Sequence, residues 1–278
     1  MFWKRLLTSI IALPLALLIV YLGGIVLTVG CAIVSLIGLR EIYHALDRGD
    51  KPVHFVGYIF TVLFFAVVYL FGSGIWLVFV LMLFFFAIQG AMVFFFGKLN
   101  LQECINTIYG FLLVPFLLSF LVLVRQHDQG LHIVWLIFIC SLGSDTAAYL
   151  TGITIGRRKL VNSPSPSKSL EGVVGGILGA VLLAVVYGFA LRFFLQSQFA
   201  GDFVVLDVAV EVFIPGLALM AFAGACFSVI GDMAASAIKR QTGIKDFGNI
   251  FPGHGGVIDR IDSTIAVAPI FYLVMNIL

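Results

Sequence analysis

An all-α, polytopic integral membrane protein is the fold class this sequence predicts, with about nine transmembrane helices (eight to ten) and a cytoplasmic N-terminus. Three observations predict it. Of the 278 residues, 62% are hydrophobic and 11% charged, whereas a soluble domain carries about 25% charged residues. The apolar residues fall into runs of roughly 20, the length that crosses a bilayer as a helix. The basic residues gather at alternate ends of those runs, as short cytoplasmic loops require.

The first run, residues 6–22, follows Lys4 and Arg5 like the core of a signal peptide. No small-x-small cleavage site follows it and another apolar run begins at once, so it reads as an uncleaved span. Only Gly23 and Gly24 separate it from residues 25–42, so the two runs are either two spans or one bent segment. Residues 56–71, 75–96, 108–124, 133–151, 173–195, 212–238 and 261–278 complete the set. Pro14, Pro115, Pro215 and Pro269 lie within spans and should kink them or sit near their ends. The aromatic run 79–96 reads as lipid-facing bulk. Segment 196–211, with Asp202, Asp207 and Glu211, reads as lying along the outer interface. The four cysteines (Cys31, Cys104, Cys140, Cys226) are scattered singly, so neither a zinc ribbon nor a redox pair is suggested. No internal repeat suggests the inverted halves of a transporter.

Nine spans with the N-terminus inside put 14 of the 16 Lys and Arg on the cytoplasmic side, leaving only Arg125 and Arg192 outside. A wrong count would scramble that bias. Both charged loops, 156–172 and 239–260, then share the cytoplasmic face. Residues 1–130 are expected to be N-terminal transmembrane helices, and 131–278 a transmembrane catalytic region carrying the two loops.

Some residues do not belong in hydrocarbon. Asp145 and Asp232 lie inside apolar runs, where an acid costs about 2.5–3.5 kcal/mol to insert. Such acids usually face a bundle interior or a wet cavity. Ser228, Asp232, Ser236 and Arg240 recur every four residues and make one polar stripe; Ser141, Asp145 and Tyr149 make another. Asp259 and Asp262 share a helical face. Carboxylates converging from separate helices are hard oxygen ligands that suit magnesium, and no His/Cys cluster competes for zinc. Pro252-Gly253-His254-Gly255-Gly256 places three glycines in five residues, which lets backbone N–H groups approach an anion. Lys239, Arg240, Lys245 and Arg260 flank it with positive charge. In the other loop, Ser165-Pro166-Ser167-Lys168-Ser169 is polar, turn-forming and basic. Gly172, Gly175, Gly176 and Gly179 read as a close helix-packing face. Arg157, Arg158 and Lys159 read either as topological anchors or as a site for anionic lipid or nucleotide.

These motifs closely resemble those of the phosphatidate cytidylyltransferases, or CDP-diacylglycerol synthases. The resemblance lies in Ser236-x-x-Lys239-Arg240, Lys245-Asp246 and Pro252-Gly253-His254-Gly255-Gly256-x-x-Asp259-Arg260-x-Asp262, in order and spacing. Ser144-Asp145-Thr146 with Ala148-Tyr149 and Gly152 is similar to a second family segment, and Ser165-Pro166-x-Lys168-Ser169-x-Glu171-Gly172 to a third. Ser167 stands where the family commonly has a second lysine, and Ser169 where it commonly has threonine, which keeps the hydroxyl. The match begins near residue 140.

The resemblance implies that phosphatidate and CTP react to give CDP-diacylglycerol and pyrophosphate, with Mg2+ (or Mn2+), in phospholipid biosynthesis at the inner face of the cell membrane. It implies Asp232 and Asp259 as holders of the metal, with Asp145, Asp246 and Asp262 as ligands or neighbours. Asp232, Asp259, Asp246, Lys239 and Arg260 are the implied catalytic set. Ser165, Lys168, Ser169, Ser236, Arg240, Lys245, His254, Gly255 and Gly256 are the implied contacts to CTP and phosphatidate. No nucleic-acid partner is implied. A homodimer is compatible with the glycine-rich seventh span, which serves equally for internal packing. Two other readings stay open on the residues alone: an ion-coupled transporter using Asp145 and Asp232, and a CTP-dependent polyprenol or phytol kinase. The lack of GxxxxGK[ST] argues against a P-loop enzyme.

Overall fold

The computed structural model describes residues 14–161, 163–198, 210–250 and 255–277. The beginning of the 6–22 span, most of segment 196–211, and Pro252, Gly253 and His254 of the glycine loop lie outside the described residues. Helices carry the fold: α1 (14–22), α2 (Gly24–Asp47), α3 (His54–Phe71), α4 (Ile75–Phe94), α5 (Leu101–Gln126), α6 (Gly130–Thr154), α7 (Leu170–Gln198), α8 (Val210–Thr242) and α9 (Ile258–Ile277). Among the described residues, seven helices, α2 to α8, are long and apolar enough to cross a membrane. The helix α9 has the length of a span, 20 residues, but opens on Asp259, Arg260 and Asp262.

Each helix after the first falls on an apolar run expected above; α2 and α5 to α8 run on into polar residues, whereas α4 stops at Phe94, short of the expected 96. The chain breaks between α1 and α2 at Gly23, whose φ of 64° lies in the left-handed region open to glycine. Pro115 does not break α5. A π-helical turn, Leu112–Phe116, absorbs it, because the wider turn relieves the clash of the ring with the preceding carbonyl. A second π-turn, Ile139–Gly143, lies in α6 just before Ser144 and Asp145.

In a bilayer, lipid is as apolar as leucine, so packing rather than the hydrophobic effect holds the helices together. Phe64, Phe111, Val124, Ile137 and Phe271 from α3, α5, α6 and α9 are fully buried in the core, and Phe84 of α4 stacks on Phe111 at 4.2 Å. Apart from the buried stripe of Val80, Phe84 and Ile88, α4 is peripheral. Phe79, Phe85, Phe86 and Phe94 are exposed, as a lipid-facing surface requires. The glycines of α7 pack internally against α6: a Cβ on Gly172 or Gly176 would lie about 3 Å from a backbone oxygen of Ala148 or Ser144, and those on Gly175 and Gly179 would strike Thr151 and Ala147. Small residues here let two backbones approach.

Contacts between distant helices sort into two ends, as alternating spans demand. At one end Arg125 donates to the carbonyls of Val20 and Tyr21 (3.2 and 3.0 Å), and Gln126 to that of Val68 (3.2 Å). At the other, His54 is buried against Asp47 (2.8 Å) and stacks on Tyr43 at 4.1 Å. There Asn106 also donates to Asp47 (2.6 Å), and Lys51 pairs with Glu103 (3.2 Å). The two charged loops lie at this second end.

Candidate active site

Four elements meet there: the second half of α6, the 156–169 loop, the C-terminal half of α8 and the start of α9. The loop is a short hairpin. Lys159 pairs with Ser169, Leu160 N–H donates to Lys168 O (3.0 Å), and Leu170 N–H to Arg158 O (2.9 Å). The carboxylate of Glu171 folds back to accept the backbone N–H groups of Arg157 and Arg158 (3.1 and 3.0 Å). Ser169 is buried, and its hydroxyl accepts from Gly172 N–H (3.1 Å). It thus satisfies one of the donors left open at the start of α7. The hairpin aims Lys168 inward, where its ammonium meets the Asp232 carboxylate. Arg240 reaches the same loop, donating to Pro164 O (3.4 Å).

Asp232 has company. Asp145 accepts from the Ser263 hydroxyl of α9 (3.2 Å). Asp262, which accepts from Ser263 N–H (2.8 Å), lies within electrostatic reach of both Asp232 and Asp145. Gly231 permits this: a Cβ there would stand 2.6 Å from Asp262 O and from Ala266 Cβ, so α8 and α9 cross at the residue before Asp232. The expected stripe on α8 runs from buried Ser228 through half-buried Asp232 and Ser236 to exposed Arg240. On α6, Ser141 is buried and accepts from the Thr264 hydroxyl (3.2 Å), while Asp145 and Tyr149 are exposed.

Asp259 stands one turn before Asp262 and faces elsewhere. It accepts Lys239 Nζ (2.7 Å) and the N–H groups of Phe247 and Gly256 (both 2.9 Å), with its side chain 4% exposed. Lys239 also lies over the Phe247 ring, 5.5 Å from its centre. Gly255 has a φ of 84°, and a Cβ on it would press on Asp259 (2.8 Å) and Asp246 (3.4 Å). Lys245, Asp246 and Arg260 are exposed at the rim. Ser165 is half-buried and turns the hairpin through its carbonyl, which accepts from Lys168 N–H (3.1 Å). The sequence-expected residues therefore form two neighbouring groups, Asp145, Asp232, Asp262 and Lys168 in one and Asp259, Lys239 and the loop backbone in the other, with Lys239 within electrostatic reach of Asp262 between them.

One residue was not singled out from the sequence. Glu41, buried near the end of α2, accepts the N–H groups of Val257 and Ile258 (both 2.9 Å). It lies more than 200 residues away in the chain and resembles an ordinary acid at a span end. The available signal is that Gly38, Glu41 and Ala45 share a helical face whose small residues admit a close neighbour.

A hard divalent cation fits the donors by charge. Asp145, Asp232 and Asp262 bring three carboxyl groups against the one ammonium of Lys168, and Lys239 is already paired. Carboxylate oxygens with room for water suit magnesium or manganese. Among the described residues no three His, Cys, Asp or Glu side chains stand drawn up as a ready ligand set; Lys168 holds Asp232 instead.

Residues 3–278 match the model of the cytidylyltransferase family. The chain is 30% identical over 279 residues to a phosphatidate cytidylyltransferase of Staphylococcus aureus, covering 98% of each chain. It is 37% identical over 164 residues to a Haemophilus influenzae protein of that name, covering 57% of this chain and 52% of the relative. A Thermotoga maritima protein of that name is 37% identical over 165 residues, covering 59% and 56%. The chain thus matches about half the length of the last two relatives.

Proposed function

From the premise that the chain belongs to the cytidylyltransferase family, we propose that it transfers the cytidylyl group of CTP to phosphatidate, making CDP-diacylglycerol and pyrophosphate for phospholipid biosynthesis. The strongest support in the geometry is the convergence of Asp145, Asp232 and Asp262 at one end of the bundle, with Lys168 on Asp232 and near Asp145, and Lys239 near Asp262. Residues 131–278 carry the chemistry, and 1–130 brace it.

A phosphate oxygen of phosphatidate attacks the α-phosphorus of CTP. The new P–O bond forms as the bond to the bridging oxygen breaks, and pyrophosphate leaves with that electron pair. The lipid phosphate has a second pKa of about 6 by analogy with phosphate monoesters, so it is largely ionised and needs no strong base. The obstacle is the approach of two polyanions and the charge growing on the leaving group. Lys168, Arg240, Lys245 and Arg260 bring positive charge to this end of the bundle for that purpose, and Lys239 joins them through its pair with Asp259. The N–H groups of Gly256, Val257 and Ile258 are taken by Asp259 and Glu41, so Gly255 and Gly256 serve the site by shaping this loop, to which His254 also belongs. Ser165 and Ser169 set the hairpin, and Ser236 lies on the α8 stripe between Asp232 and Arg240. Asp232 and Asp262, with Asp145 beside them, would hold Mg2+ or Mn2+, which neutralises phosphate charge when bound. Asp259 holds Lys239, and Asp246 stands at the loop rim.

The lipid enters sideways from the bilayer and CTP comes from the cytoplasm, so a site at the inner edge of the cell membrane serves both. The test is the purified chain in vesicles with phosphatidate, CTP and Mg2+. Pyrophosphate and CDP-diacylglycerol are expected in equal amounts and only with both substrates. Release of CDP with a phosphorylated lipid would assign a kinase instead, and no turnover with ion flux would assign a transporter.

A further inference from the structure

Asp262 and Ser263 reach their places only if the start of α9 is held in one position. Two carboxylates hold it. Asp259 is local. Glu41 comes from α2, in the half of the chain where the motifs of the site do not lie.

We infer that Glu41 is a positioning residue for the reaction: its carboxylate fixes the start of α9 and thereby the placement of the Asp262 and Asp259 groups. Each of its oxygens accepts one backbone N–H, from Val257 and from Ile258, both at 2.9 Å. These donors open α9, where the positive end of the helix dipole favours an anion. Glu41 is 6% exposed, so water does not substitute for either bond. The loop is also shaped to receive it. A Cβ on Gly256 would stand 2.5 Å from both Glu41 oxygens, and one on Gly248 would collide with the same carboxylate. Gly256 in turn donates to Asp259, which accepts Lys239. A single carboxylate therefore sets two glycines, two helical N–H groups and, through them, the cluster one turn further on. The inference rests on the proposed activity only for its catalytic consequence; the placement of the loop is measurable without it.

The experiment uses the full chain in phosphatidylglycerol–phosphatidylcholine vesicles, with backbone hydrogen exchange and CTP-dependent pyrophosphate release measured in parallel. In Glu41→Gln the amide presents only one acceptor and sets a donor against the other N–H. Exchange at residues 255–259 is expected to rise while α7 and α8 keep wild-type protection. Turnover is expected to fall about 100-fold, the cost of displacing reacting groups by about 1 Å. Gly256→Ala should lose activity by collision with Glu41, so in a Glu41→Ala background it should add no comparable loss. Unchanged exchange and turnover in Glu41→Gln would overturn the inference. So would losses that simply multiply in the double variant, or exchange rising throughout the protein, which would make Glu41 a residue of global stability. If the wild type releases no pyrophosphate yet exchange rises only at 255–259, the loop anchor stands and the proposed activity falls.

Discussion

Asp232 meets the ammonium of Lys168, and its other neighbours within electrostatic reach include Asp145 and Asp262. Removing its charge removes the group through which α8 joins that cluster. Asp232→Asn should therefore lower CTP-dependent pyrophosphate release by at least about 100-fold, the scale of losing one preorganised electrostatic contact. Membrane insertion should be undiminished, since an acid in hydrocarbon costs about 2.5–3.5 kcal/mol that the amide largely avoids. Turnover in vesicles and the amount in the membrane fraction check both halves; full activity would remove Asp232 from the site. Ser169 makes a different prediction. Its hydroxyl caps α7 through Gly172 N–H, and losing an N-cap costs about 1 kcal/mol. Ser169→Ala should lower the thermal midpoint in detergent and loosen the hairpin that aims Lys168. Ser169→Thr, which keeps the oxygen, should retain activity.

Helices are the scale at which the sequence was most readable. A bilayer demands about 20 apolar residues per crossing, and that requirement wrote the positions of α2 to α9 into composition alone. Their ends were less readable, because α5 and α8 run on into polar residues once neighbours satisfy them. The π-turn that carries Pro115 through α5 leaves no local mark beyond the proline. Within the site, Asp145, Asp232 and Lys168 stood out as charges among oil or as motif residues. Which of Asp259 and Asp262 would face Asp232 did not, since both share a helical face and only the loop's donors decide it. Glu41 was not readable because its partners are backbone N–H groups, which every residue but proline supplies. The glycines of α7 were readable as a packing face, and the structure places them against α6. Gly179 faces Ala147 there, two residues from Asp145. Gly179→Leu should force α6 and α7 apart at a cost of about 1–3 kcal/mol, lowering both thermal midpoint and turnover. Gly216 of α8, where a Cβ would meet nothing within 4 Å, is the control, and Gly216→Leu should leave turnover unchanged without lowering the thermal midpoint. Equal effects at the two positions would mean that α7 glycines serve flexibility rather than close approach.

Across the whole molecule, the contacts divide the bundle into two ends, and the proposed reaction together with the charge bias predicts that the end with the basic loops faces the cytoplasm. Arg125 lies at one end with Val20 and Tyr21, while the two basic loops lie at the other. Translocating a segment that holds Arg157, Arg158, Lys159 and Lys168 is opposed by the same bias that retains basic loops inside. CTP, a polyanion, does not cross the bilayer, so a site at the basic end works only if that end is cytoplasmic. Two exposed positions report this. Val161 is in the 156–169 hairpin, 72% exposed, and His127 follows α5 at the opposite end. The native cysteines are buried or partly buried and can be replaced by alanine to clear the background. In that background, His127→Cys should react with an impermeant maleimide added to intact spheroplasts, and Val161→Cys should react only in inverted vesicles. Pyrophosphate release should likewise start when CTP is added outside inverted vesicles, and stay silent when CTP is added outside right-side-out ones. Labelling of both cysteines from one side would mean an odd span has been miscounted between them. Labelling with the sides exchanged would put the carboxylate cluster on the face that CTP does not reach, and the proposed reaction would have no route to its nucleotide.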